Sequence, residues 1–176
     1  RALTRVVTFR FNAADSIITP STPFESTGGA ASNLNVTTLV SALNGASNVI
    51  ISSAAGVGGL GNVTFVDPVA WNSAFSLTVN ASNNIIVNAA ISNAGTGDIN
   101  LNANVAPTGS IAINAAMSTG GAINLLANQD VTVGANLTAT SMNLRAAGGS
   151  FAGTGNLTLT GNLNLGTGSL TLLSGI

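Results

Sequence analysis

Leu77-Thr78-Val79-Asn80-Ala81 decides the fold, because the chain repeats its pattern of apolar residue, any residue, apolar residue, Asn and Ala. The other copies are Ile85-Ile86-Val87-Asn88-Ala89, Ile99-Asn100-Leu101-Asn102-Ala103 and Ile111-Ala112-Ile113-Asn114-Ala115. Alternation with a period of two residues is typical of β-strands, and strands this short cannot bury their apolar face alone. Successive copies must therefore stack around a shared core, which predicts a solenoid.

Shorter copies of the apolar-x-apolar pattern continue almost to the last residue. They begin at Ile123, Val131, Met142, Leu157, Leu163 and Leu170. At equivalent positions of successive repeats, Leu77 is followed by Ile99 and then by Ile123, and Ile85 is followed by Ile111 and then by Val131. We expect coils of about 19 to 26 residues, which fit an all-β, three-sided parallel β-helix with two or three short strands per turn.

The N-terminal segment differs from this repetitive body. Six of the seven aromatic residues and three of the four arginines fall within residues 1–75. Residues 7–11 alternate as a strand, and residues 37–44 fit either a short helix or another strand. The open end of a solenoid exposes unpaired backbone groups, so it needs a cover. We predict one continuous domain, with an aromatic-rich capping region at residues 1–61 and a β-helix body at 62–176.

The composition removes most kinds of enzyme site. Only nine of the 176 residues are charged, and Lys, His, Cys and Tyr are absent. Metal sites built on His or Cys, Cys nucleophiles, Ser-His-Asp triads and Schiff-base lysines are therefore excluded. No run of apolar residues reaches the length of a membrane span, and no basic stripe indicates nucleic-acid binding.

The acidic residues do not form the carboxylate pair that glycoside hydrolysis requires. They are isolated in the sequence at Asp15, Glu25, Asp67, Asp98 and Asp130. Asp98 and Asp130 each directly precede a predicted strand, where we interpret the carboxylate as a cap of the turn. We predict a protein that is not an enzyme, with no catalytic residue, metal or cofactor.

Small and uncharged residues occupy the predicted turns and outer positions. The runs Gly58-Gly59-Leu60-Gly61 and Gly120-Gly121 are interpreted as tight corners with positive φ. The outer positions of the short strands are mostly Asn or Thr: Thr78, Ile86, Asn100, Ala112, Asn124, Thr132, Asn143, Thr158, Asn164 and Thr171. Uncharged polar side chains can stack in hydrogen-bonded ladders, whereas like charges at that spacing repel. The low charge count therefore has a structural explanation.

Three pieces of the chain resemble the filamentous-haemagglutinin-like exoproteins of bacterial two-partner secretion. They are Asn48-Val49-Ile50-Ile51 with Gly61-Asn62-Val63-Thr64-Phe65, the step Asp67-Pro68-Val69-Ala70-Trp71, and the first two copies of the repeat with Asn84 before the second. The resemblance covers about residues 35 to 172. It implies a right-handed parallel β-helix, export to the bacterial cell surface, and adhesive or structural work outside the cell. Implied partners are an outer-membrane transporter or surface glycans.

The C-terminal segment predicts self-association. Residues 169–176 continue the repeat without a charge, a proline or a helix, so we expect this end to continue into further sequence or to dock on a partner strand. Head-to-tail stacking into a fibre is the main hypothesis. The assembly residues we predict are Arg5, Phe9, Phe11, Leu170, Leu172 and Ile176. The alternatives are the secretion domain of a larger adhesin and an ice-binding β-solenoid.

Overall fold

The computed structural model describes residues 5–11, 16–19, 32–54, 60–104, 107–165 and 169–170. Within them it contains twenty β-strands and one α-helix. The strands form three parallel sheets, which the chain visits in turn once per coil. The protein is a parallel β-solenoid, as the repeat predicts.

Each sheet is one side of the solenoid. Sheet 1 contains, in spatial order, β1 (Arg5–Phe11), β4 (Ser47–Ser53), β7 (Leu77–Asn80), β10 (Ile99–Ala103), β13 (Ala122–Ala127), β16 (Ser141–Ala146) and β19 (Leu163–Leu165). Sheet 2 contains β3 (Ser32–Asn35), β2 (Ser16–Thr19), β5 (Val63–Phe65), β8 (Ile85–Val87), β11 (Ile111–Ile113), β14 (Val131–Val133), β17 (Ser150–Gly153) and β20 (Ser169–Leu170). Sheet 3 contains β6 (Val69–Trp71), β9 (Ile91–Asn93), β12 (Met117–Thr119), β15 (Leu137–Ala139) and β18 (Leu157–Leu159).

The register between coils agrees with the repeat. Leu77 pairs with Ile99, and Ile99 pairs with Ile123. In sheet 2, Ile111 pairs with both Ile85 and Val131. From β4 onward, the separation between stacked residues ranges from 19 residues, between Asn124 and Asn143, to 28 residues, between Asn48 and Ser76. The first full coil is therefore longer than predicted.

The core is a set of inward-facing columns that run along the solenoid. Leu77, Val79, Ile99 and Leu101 are fully buried in sheet 1, and each stacks on an aliphatic residue of the next coil. The Ala of the repeat in this sheet points inward too, because Ala81 and Ala103 are buried at the corner. Ala127 and Ala146, next in register after Ala103, are buried as well. A methyl group fills the narrow corner, whereas a longer side chain would overpack it.

Residues 36–44 form a helix, so of the two alternatives at this segment the helix is correct. Helix α1 spans Val36–Asn44, and the Asn35 side chain caps its N-terminus by accepting hydrogen bonds from the N–H groups of Thr37 and Thr38. Leu39 and Leu43 on α1 are fully buried. The helix packs against β4 of sheet 1 and against β6, the first described strand of sheet 3.

The corner glycines correct the interpretation of the glycine runs. Gly61 has a φ of 80°, but no other glycine of the described part of the chain has a positive φ. Gly120 and Gly121 instead lie against the preceding coil, where an added Cβ would lie 2.8 Å from the Gly95 oxygen and 2.5 Å from the Thr96 oxygen respectively. Because these glycines have no side chain, the backbones of two successive coils can lie in direct contact. Gly58 and Gly59 lie outside the described residues.

Candidate functional site

Sheet 1 carries a ladder of uncharged side chains on its outer face. The Asn100 amide donates to the Thr78 hydroxyl at 3.2 Å, and the Asn124 amide donates to Asn100 Oδ1 at 2.6 Å. The Asn143 amide then donates to Asn124 Oδ1 at 2.5 Å, and Asn164 is next in register. Four successive coils are thus joined by side-chain hydrogen bonds along one column.

Two shorter ladders run beside this column and on the neighbouring sheet. The Asn102 amide donates to Asn80 Oδ1 at 2.9 Å, also on sheet 1. After the strands of sheet 2, the Asn114 amide donates to Asn88 Oδ1 at 2.8 Å. All of these are the Asn residues of the repeat or of its outer positions. The abundance of Asn is therefore explained by coil-to-coil bonding, which needs no ligand.

The Asp98 and Asp130 side chains each cap a backbone N–H group of the next coil. Asp98 Oδ1 accepts a hydrogen bond from the Ala122 N–H at 2.8 Å, and Asp130 Oδ1 accepts one from the Ser150 N–H at 2.7 Å. Asn48, two coils before Asp98, accepts from the Ser76 N–H in the same way. The capping interpretation is confirmed, but the bonded backbone lies 20 to 24 residues away along the chain.

A buried polar corner at the end of sheet 3 was not predicted. The Asn93 side chain is 3% exposed and makes four hydrogen bonds: Oδ1 accepts from the N–H groups of Ser73 and Gly95, and Nδ2 donates to the oxygens of Ser73 and Gly97. Thr119, stacked on Asn93, donates to the same Gly97 oxygen at 2.6 Å. The only signal in the sequence is a polar residue where the pattern expects an apolar one.

The outer face of sheet 3 carries a column of small residues. In register they are Ala70, Ser92, Ser118, Thr138 and Thr158. The corresponding column of sheet 2 is mixed, with Thr64, Ile86, Ala112 and Thr132. An ice-binding face would need one continuous row of Thr, but the outer residues Thr132 and Thr158 lie on different sheets.

The predicted assembly residues lie at two opposite ends. Arg5, Phe9 and Phe11 lie on the edge strand β1, in register with Ser47, Ile51 and Ser53. Phe9 is half-buried and packs against the core. Leu170 lies on β20, the edge strand at the far end of sheet 2. Leu172 and Ile176 lie outside the described residues. The placement separates the N-terminal set from Leu170 by the length of the solenoid.

The described residues include no group of three or more His, Cys, Asp or Glu side chains that could hold a metal ion. None of their helices is long and apolar enough to cross a membrane. Comparison of the chain with protein-family models, with curated proteins and with solved structures finds no match.

Proposed function

We propose that the protein is a non-enzymatic structural or adhesive β-solenoid of the bacterial cell surface, and that copies associate head-to-tail into a fibre. The observation that carries this proposal is the uncharged ladder through Thr78, Asn100, Asn124 and Asn143. A column of this kind repeats at the spacing of the coils, about 4.8 Å, and has no charge that would repel an identical column above it. The same chemistry that joins coils can join copies.

The topology supports an assembly through strand pairing. Among the described residues, sheets 1 and 2 begin at the edge strands β1 and β3, and the three sheets end at β19, β20 and β18. An edge strand of a parallel sheet offers backbone groups to another parallel strand. A contact between unlike ends does not close on itself and gives an open filament. Extracellular location and adhesion follow from the resemblance to secreted surface proteins.

One backbone group on β1 allows a sharp test. Val49 on β4 donates its N–H to Ser76 in the next coil at 2.9 Å. Since N–H groups of successive residues in a strand point to opposite sides, the inward-facing residues donate toward the C-terminal end and the outward-facing ones toward the N-terminal end. Thr8 is exposed and pairs with Ile50, so its N–H points away from β4. Proline at this position removes a donor that the ladder of one copy does not use.

Thr8→Pro is therefore expected to abolish fibres while the solenoid stays folded. Thr8→Val is the matched control, because it keeps the N–H group and should assemble like the natural protein. Sedimentation and negative-stain microscopy at increasing concentration measure assembly, and far-UV circular dichroism measures folding. Monomers at every concentration of the natural protein, or fibres of Thr8→Pro equal to those of the control, would overturn the proposal.

A further inference from the structure

A cleft on the outer face of sheet 3 belongs neither to the ladders nor to the ends. It has a volume of about 430 Å³ and lies where the C-terminal end of α1 meets β6, β9 and β12. Its lining consists of Asn44, Ala70, Trp71, Asn72, Ser92, Asn93, Ala94 and Ser118. Small-molecule sites in proteins have volumes of about 300–1,000 Å³. The cleft is large enough for a small ligand.

The lining combines polar groups with no charge at all. Ser92 and Ser118 are consecutive residues of the sheet 3 column, so their hydroxyls lie one coil apart, and within the described part of the chain neither hydroxyl has a hydrogen-bond partner. Asn44 uses Oδ1 to accept from the Asn72 N–H at 3.1 Å, which leaves its amide donor for a ligand. Hydroxyls and amides therefore line the cleft as uncommitted donors and acceptors.

The floor of the cleft is rigid. Trp71 is 4% exposed, and its indole Nε1 donates to the Phe75 oxygen at 3.0 Å. Asn93 is held by its four backbone bonds. On the side of α1, the Ser73 hydroxyl donates to the Leu43 oxygen at 2.9 Å and fixes the end of the helix. Groups held in place before binding lose less conformational freedom when a ligand arrives.

We propose that this cleft binds a neutral, polyhydroxylated ligand, a saccharide without charged substituents. An ionic ligand would lose hydration without an opposite charge in the lining to replace it. A purely apolar ligand would leave the Ser and Asn groups unpaired. The open shape and the few polar contacts indicate a weak site, with a dissociation constant on the order of 1 mM. This inference does not depend on fibre formation.

Trp71 makes the test direct, because it is the single tryptophan of the chain and lines the cleft. The full chain is titrated with neutral tetrasaccharides of glucose and of N-acetylglucosamine, and with a sulfated saccharide of similar size. A saturable change in tryptophan fluorescence with a neutral probe is expected. No change with either neutral probe up to about 20 mM, or a change with the sulfated probe alone, overturns the proposal.

Ser92→Arg fills the cleft and should raise the dissociation constant for the neutral saccharide about tenfold or more. Thr158→Arg is the matched control, since it introduces the same arginine in the same column outside the lining and should bind normally. If Ser92→Arg fails to fold by circular dichroism, the double variant Ser92→Ala/Ser118→Ala replaces it and should weaken binding similarly. Undiminished binding by a folded cleft variant, or equal loss in Thr158→Arg, overturns the assignment to this cleft.

Discussion

Asn93 is the residue where the local pattern and the structure disagree most. It occupies an inward position of sheet 3, in register between Trp71 and Thr119. An apolar residue at this position would complete the apolar-x-apolar pattern begun by Ile91. The structure places a fully bonded amide there, and its four hydrogen bonds join the corners of two successive coils.

Asn93→Leu is predicted to lower the free energy of unfolding by about 2 kcal/mol or more. Burying Leu contributes about 1.5–3 kcal/mol. The N–H groups of Ser73 and Gly95 lose their acceptor at a cost of about 1–3 kcal/mol each, whereas the Ser73 and Gly97 oxygens keep the Gly97 N–H and the Thr119 hydroxyl as donors. Asn102→Leu makes the same change at an outer position, where it removes the ladder bond to Asn80, and should cost about 1 kcal/mol. Urea unfolding measures both, and a stabilised Asn93→Leu protein would contradict the argument.

Between strands, the decisive element is the outer ladder of sheet 1. Adjacent rungs lie about 4.8 Å apart, and the ladder is uncharged from Thr78 on β7 to Asn143 on β16. A single Asp in place of one Asn can still accept the hydrogen bond from the next rung. Two carboxylates on neighbouring rungs must repel each other, with an energy of about 1 kcal/mol in water at this range.

The double variant Asn100→Asp/Asn124→Asp is therefore predicted to be less stable than the sum of its single variants by about 1 kcal/mol. Raising the salt concentration should reduce this coupling, since ions screen exposed charges. The comparison pair is Asn100→Asp/Asn143→Asp, in which the charges lie two rungs apart. Equal coupling in both pairs, measured in a double-mutant cycle by urea unfolding, would show that stacking does not limit charge.

For the whole molecule, the main consequence of the solenoid is that stability is built coil by coil. Ile99 pairs with Leu77 on one side and with Ile123 on the other, so each coil contacts mainly its two neighbours. The coil from residue 99 to residue 122 contains one strand of each sheet and its corners. Its removal brings Leu77 and Ile123 to adjacent rungs in the same register.

Deletion of residues 99–122 is predicted to leave a folded, shorter solenoid with a somewhat lower thermal midpoint. Deletion of residues 99–110, half as long, brings strands of sheet 2 into the positions of sheet 1 and should destroy cooperative unfolding. Far-UV circular dichroism during heating distinguishes the two deletions. A half-coil deletion as stable as the full-coil deletion would mean that the register is not what holds the coils together.

Much of the candidate site can be predicted from the sequence, because outward and inward positions alternate within each strand. The ladder residues Asn100, Asn124 and Asn143 were all assigned to the outer face from alternation alone. The cleft cannot be predicted in this way. Its lining brings Asn44 at the end of α1 beside Ser92 and Ser118, which belong to two later coils.

Alternation and repetition along the chain are enough to predict the solenoid and the pairing of Leu77 with Ile99 and Ile123. The three-dimensional structure was needed to show that residues 36–44 are a helix, and that Gly120 and Gly121 provide room for stacked backbone without a positive φ. It also showed that the Asp98 and Asp130 carboxylates bond to the next coil. It also decided that Asn93 lies inside. These features all involve contacts with a neighbouring coil, which lies 20 to 30 residues away in the chain and in direct contact in space.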